Sequence, residues 1–163
     1  MRGGFNFSKM AEQERTALLV REHPNATSAV EAVLEGVFGF KVEALESADE
    51  AMVALSEMNT KVRAVADLVL TDLQFHEDGR LNLRGEEIAR LATQIGVPKV
   101  IIRTFEDTVG KRVETGDVRS ITFDLAQGRR TIEVPRSVNV VAGWGALAWV
   151  ERDVARQFNP IAA

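Results

Sequence analysis

The chain has 163 residues, 45% hydrophobic and 27% charged, proportions that suit a globular domain long enough to bury a core. A formal net charge of -4 leaves no overall basic footprint for nucleic-acid phosphates, so no nucleic-acid partner is expected. There is no cysteine, which excludes disulfides, thiolate metal sites and cysteine nucleophiles and fits a reducing, cytoplasmic setting.

Residues 1–14 carry no apolar segment of the secretory type and are expected to form a flexible arm, with residues 15–163 as one domain. No apolar run approaches the roughly 20 residues of a membrane span. Residues 16–20 (TALLV) read as a first strand that stops before Pro24. Asn25, Thr27 or Ser28 can cap the helix that follows, in which Val30, Val33, Leu34 and Val37 recur at helical spacing. Residues 40–45 alternate apolar and charged side chains as a second strand. Ser47 and Glu50 then form a capping box for a helix with Ala51, Met52, Leu55 and Met58 on one face.

Residues 67–72 form the next strand, with the apolar run Leu68-Val69-Leu70 ending abruptly in Thr71 and Asp72. A polar connection with an Asp78-Gly79 turn signal follows. Residues 86–94 supply a helix with Ile88, Leu91 and Ala92 inward. Residues 97–103 (VPKVIIR) make a fourth strand with Thr104 at its end. Residues 106–117 are polar, with a short helix expected around 108–113. Residues 118–125 and 130–134 alternate about a Gln127-Gly128 turn, as a hairpin with one wet face does. Residues 137–142 read as a final strand. A closing helix over 143–158 would bury Trp144, Leu147, Ala148, Val150 and Val154.

Strands and helices that alternate in this way predict an α/β fold, a doubly wound parallel sheet of the flavodoxin-like kind, with a β-hairpin variation in the last third. In such sheets the carboxyl ends of the first and third strands meet at a crevice. Glu22 and Asp72 would meet there, with Thr104 on the adjoining strand. Clustered carboxylates can hold a hard cation such as magnesium, and a carboxylate beside a metal can attack a phosphoryl group. His23 and His76 lie in polar loops without metal-ligand spacing and read as surface histidines. Arg129-Arg130 reads as a solvated basic turn.

Four stretches, Leu18 to Pro24, Ala66 to Leu73, Gly85 to Ile88 and Val97 to Thr104, resemble in order and spacing the receiver domain of two-component response regulators. The resemblance covers residues 16–105. It implies a five-stranded doubly wound sheet in which Asp72 corresponds to the phosphoacceptor, Thr104 to the switch hydroxyl and Glu22 to an acidic magnesium ligand. The backbone carbonyl of Gln74 corresponds to a further ligand. It also implies a protein partner, either a histidine kinase or a regulatory target, and admits a homodimer.

The departures from that pattern concern the site itself. Arg21 stands where the first acid of the metal site belongs, and its planar fork could pair with Asp72. The connection from Asp72 to Gly85 is longer than usual. No Lys-Pro pair follows Thr104, and Lys111 is the only lysine downstream. The hairpin is expected to take the place of the fourth helix and fifth strand. The sequence is therefore read as an atypical, receiver-like signalling module, a pseudo-receiver that acts through protein contact with an incomplete phosphoacceptor site and is not an enzyme. The alternative is a receiver phosphorylated on Asp72 with magnesium. A phosphoester hydrolase using Asp72 and Glu22 ranks lower, because Gln74 stands where an aspartate-nucleophile phosphatase needs a second acid.

Overall fold

A computed structural model describes residues 14–22, 28–104, 109–125, 128–142 and 146–161. The expected arm up to residue 13, His23, the Asn25 and Thr27 caps, Gln127 and Trp144 lie outside the described residues, as do the side chains of Lys111 and Trp149. In chain order, β1 (Arg15–Val20), α1 (Ser28–Gly36), β2 (Phe40–Leu45), α2 (Ala48–Asn59) and β3 (Leu68–Asp72) form the first half. They are followed by β4 (Phe75–Glu77), β5 (Arg80–Asn82), α3 (Arg84–Gln94) and β6 (Lys99–Thr104). Next come β7 (Val109–Thr115), β8 (Val118–Leu125), β9 (Gly128–Pro135), β10 (Asn139–Ala142) and α4 (Ala146–Ala155).

Five strands form a parallel sheet in the order β10-β6-β3-β1-β2. Counting only its own strands, this is the flavodoxin-like order with the switch between the first and third. The fold is thus the doubly wound α/β sheet read from the sequence. Its inner strands β1, β3 and β6 are largely apolar runs because both faces are covered, whereas the edge strand β2 alternates. On one face Leu19, Leu68, Leu70 and Ile101 pack against Val30 and Leu34 of α1 and Val150 and Val154 of α4. On the other, Leu18, Val69, Val100 and Ile102 meet α2, α3 and an antiparallel sheet. Ser47 caps the helix as read, its Oγ accepting from the Glu50 N–H at 3.1 Å and its hydroxyl donating to Glu50 Oε1 at 3.3 Å. Ala148, expected on the buried side of the last helix, is exposed.

Two regions differ from the sequence reading. The polar connection after Asp72 is itself a small hairpin, β4–β5, closed by Asp78 and Gly79, both at positive φ (52° and 75°) as a type I′ turn requires. The expected short helix around 108–113 is strand β7. Its valines and threonine suit a sheet, and it pairs with β8 across a turn in which Gly116 has φ 60°.

Strands β7, β8 and β9 form a separate antiparallel sheet within the connection from β6 to β10. The fifth parallel strand, expected to be displaced by the hairpin, is therefore present as β10. Ile121, Phe123, Ile132 and Val134 project from one face of the inserted sheet into the main core beside Ile88. At the β9 edge Glu86 of α3 accepts the Glu133 backbone N–H at 2.6 Å, so a carboxylate closes that part of the ladder. Among the described residues, no helix is long and apolar enough to cross a membrane.

Candidate functional site at the strand ends

Asp72 is the last residue of β3, and α3 is drawn tightly under the chain that leaves it. The Gly85 N–H donates to the Leu73 carbonyl at 3.0 Å. A Cβ on Gly85 would lie 2.3 Å from the Asp72 carbonyl oxygen and 2.6 Å from Leu73 Cα. Only glycine permits this approach. The result is a β3 end held rigidly against the start of a helix, with Asp72 fully buried.

The partner of Asp72 is Arg103. The parallel register places Asp72 opposite Arg103, and side chains in register project to the same face. Arg103 Nε and Nη2 donate to Asp72 Oδ1 at 3.0 and 2.8 Å. The other carboxylate oxygen, Oδ2, accepts the Glu22 backbone N–H at 3.1 Å. The side chains of Arg103 and Asp72 are 5% and 0% exposed, so the pair is shut away from solvent. Burial pushes the Asp72 carboxyl above the ordinary aspartate range. The Arg103 charge and the Glu22 N–H oppose that shift, and the nearby Glu22 charge adds to it.

Arg21, expected to reach Asp72, instead pairs with Glu31 of α1 through Nη1 and Oε2 at 2.7 Å. The reason is direction: the Glu31 carboxylate lies beside the first strand's end, while Arg103 rises within the sheet on the strand next to Asp72. Glu22 does come to the site, but it gives Asp72 a backbone N–H. Its carboxylate accepts from the His76 N–H at 2.5 Å and lies 2.9 Å from His76 Nδ1. His76, expected at the surface, is 65% exposed in its side chain.

Thr104 is one residue beyond Arg103 and therefore projects to the opposite face of the sheet. It is fully buried there and exchanges hydrogen bonds with the Gln74 side-chain amide, at 3.0 Å from Gln74 Nε2 and 3.3 Å to Gln74 Oε1. Glu22 and Asp72 lie together as the sequence reading placed them, joined through the Glu22 backbone N–H and not through paired carboxylates. That reading placed Thr104 with them, whereas the register gives that position to Arg103. The signal for Arg103 was a single cation at the end of the apolar run Val100-Ile101-Ile102.

A magnesium ion needs several oxygen ligands in near-octahedral geometry. Here one Asp72 oxygen holds the guanidinium and the other a backbone N–H. The Glu22 carboxylate is engaged with His76. Among the described residues, no cluster of three or more His, Asp or Glu is placed to hold a metal. The residues present do not fit the ion, because Arg103 supplies the positive charge next to Asp72. At the fifth-strand end, β10 finishes in Ala142, and Lys111 belongs to the backbone of β7.

No family model matches the sequence, and no curated protein matches it. Among solved structures, the chain is similar to the receiver domain of the histidine kinase CKI1 from Arabidopsis thaliana complexed with Mg2+ and BeF3-. Identity is 21% and the TM-score 0.42, over 57% of this chain and 67% of that one. A point mutant of the same receiver domain is similar at 19% identity and TM-score 0.45, over 59% and 69% of the two chains. The isolated REC domain of RcsB from Salmonella enterica serovar Typhimurium, in the presence of phosphomimetic BeF3-, is similar at 18% identity and TM-score 0.39. That overlay covers 58% of this chain and 64% of the RcsB domain. The assignment of the fold rests on the strand order and crossovers of the chain itself.

Proposed function

We propose that this receiver-like chain is a regulatory module that works by contact with a protein partner, with residues 15–163 acting as one unit. Its Asp72 is held in a single unphosphorylated state. The observation that carries this reading is the buried Arg103–Asp72 pair. A carboxylate that is to attack a phosphoryl group must present an oxygen to the donor and share a cation with it. Asp72 has both oxygens engaged inside the protein, and its cation is covalently part of β6. In this reading Arg103 replaces the role that magnesium and a movable hydroxyl would share, Thr104 serves the packing of Gln74, and the chain performs no catalysis. Signalling then depends on surface, and a histidine kinase finds no acceptor here.

The test is incubation of the purified chain with phosphoramidate and magnesium, followed by intact-mass measurement. The expected result is no phosphoryl adduct in the wild type. An adduct present in the wild type and lost in Asp72→Asn would overturn the reading in favour of a phosphorylatable receiver.

A further inference from the structure

We propose that the cleft between the β4–β5 hairpin and β9 binds an extended acidic peptide segment of a partner protein by strand addition. This contact is separate from Asp72, so its success or failure is read independently of the phosphorylation experiment.

Two sheet edges border the cleft. In β8–β9, Glu133 lies opposite Ser120, and its N–H points away from β8 to Glu86. That pair is therefore non-hydrogen-bonded. The antiparallel alternation repeats every two residues, so Thr131, opposite Thr122, also directs its N–H and C=O outward. In β4–β5 the same reasoning applies. His76 lies opposite Leu81 and sends its N–H out to Glu22, so Leu81 presents its own N–H and C=O on the other edge. Glu86 and Glu22 close two of these outward N–H groups with carboxylates. Among the described residues no hydrogen bond closes the N–H of Leu81 or Thr131.

Both open edges line one region. A cavity of about 330 Å³ is bounded by Leu81, Asn82 and Leu83 on one side and Arg130 and Thr131 on the other. An adjoining cavity of about 490 Å³ is lined by Gly79, Arg80, Leu81, Asn82 and Arg130. Among the described residues, the charged side chains lining the larger cavity are Arg80 and Arg130, both exposed. Neither makes a salt bridge among the described residues, in a chain whose net charge is negative. Of the charges around the smaller cavity, Glu87 is paired with Arg84 at 3.3 Å, and Glu86 accepts the Glu133 backbone N–H while keeping its negative charge. Arg84 is also paired with Glu77 at 2.8 Å. Among the described lining residues three arginines, Arg80, Arg84 and Arg130, stand against two glutamates, Glu86 and Glu87, so the excess charge is cationic, and Arg80 and Arg130 carry it at the open end.

Exposed edges take extended peptides through main-chain hydrogen bonds, and side-chain chemistry selects among them. Two guanidinium groups with no salt-bridge partner among the described residues select carboxylates, which they can grip in bidentate fashion. The molecule already closes two of its own outward strand-edge N–H groups with carboxylates, those of Glu22 and Glu86.

The probe is a fluorescein-labelled, acetylated peptide of alternating glutamate and valine, measured by anisotropy against the full chain. A lysine–valine peptide and an N-methylated glutamate–valine peptide serve as controls. Saturable binding of the acidic peptide is expected, with the Leu81 and Thr131 amides gaining protection from hydrogen exchange. The doubly substituted Arg80→Glu/Arg130→Glu chain should bind at least about tenfold more weakly, with an unchanged far-ultraviolet circular dichroism spectrum. N-methylation, which removes main-chain donors, should weaken binding comparably. Absence of saturable binding would overturn the proposal. So would binding indifferent to both charge reversal and N-methylation, or protection appearing at the β7 edge instead.

Discussion

Arg103 places two guanidinium nitrogens, Nε and Nη2, on the same oxygen of Asp72, at 3.0 and 2.8 Å, with both side chains almost completely buried. Neighbouring parallel strands supply the two residues in register. The pair therefore belongs to the sheet, and it will change when the β3–β6 ladder changes. Taking either charge out of water is costly, and each makes the other tolerable. Removing one partner leaves an uncompensated buried charge.

Arg103→Ala and Asp72→Ala should each lower stability by about 3–5 kcal/mol. The double substitution should cost clearly less than their sum, because neither charge then remains. Urea unfolding of the four proteins checks this. Additive effects would mean that the two side chains do not interact.

The raised pKa of Asp72 fixes the sign of a pH dependence. Its folded value lies above the unfolded one, so the folded chain keeps a proton that the unfolded chain has released. This contribution is fully present below the unfolded value of about 3.9 and is lost as pH rises through the folded value. The stability of wild type relative to Asp72→Asn should therefore fall as pH is raised across that window. Unfolding both proteins at a series of pH values checks the slope, and a rise would contradict it.

Gly85 and Gly36 should respond oppositely to alanine. At Gly85 the new methyl meets the Asp72 carbonyl at 2.3 Å, and backbone must move. The expected loss is about 1–3 kcal/mol. A Cβ on Gly36, at the end of α1, would meet no atom beyond its own helix backbone and chain neighbours within 4 Å among the described residues. There the smaller entropy of the unfolded chain should add about 0.4–1 kcal/mol. Thermal melts of the two variants distinguish the cases.

The inserted antiparallel sheet should unfold with the rest of the domain. Phe123 is fully buried in the core that contains Ile88 and Leu73. Phe123→Ala should cost about 3–5 kcal/mol in a single cooperative transition. A separate early transition, with the parallel sheet unaffected, would show that the insert is an independent unit.

Much of the parallel sheet was legible because its strands are apolar runs bounded by breakers. The run ending in Thr71 and Asp72 and the capping box at Ser47 and Glu50 each signalled their elements locally. Strand β7 was misread because Val109 and Val113 fit a helical spacing as well as an alternating one, and only pairing with β8 decides between them. The small hairpin after Gln74 was visible only as its Asp78-Gly79 turn.

The site was half legible for a related reason. That Asp72 and Glu22 meet follows from strand order alone. Which residue of β6 faces Asp72 depends on register, and a shift of one residue exchanges Arg103 for Thr104. Register is set by how β3 and β6 dock through Leu70 and Ile101, which no local pattern encodes.

The central claim is that Arg103 holds Asp72 in a closed pair that magnesium does not enter. Its most direct measurement is the Arg103 Nε–H signal in nitrogen-15 NMR spectra, recorded with and without millimolar magnesium and in Asp72→Asn. A resolved, exchange-protected signal is expected, one that magnesium leaves in place and that shifts in Asp72→Asn. A signal that exchanges freely with solvent, or that magnesium displaces, would contradict it.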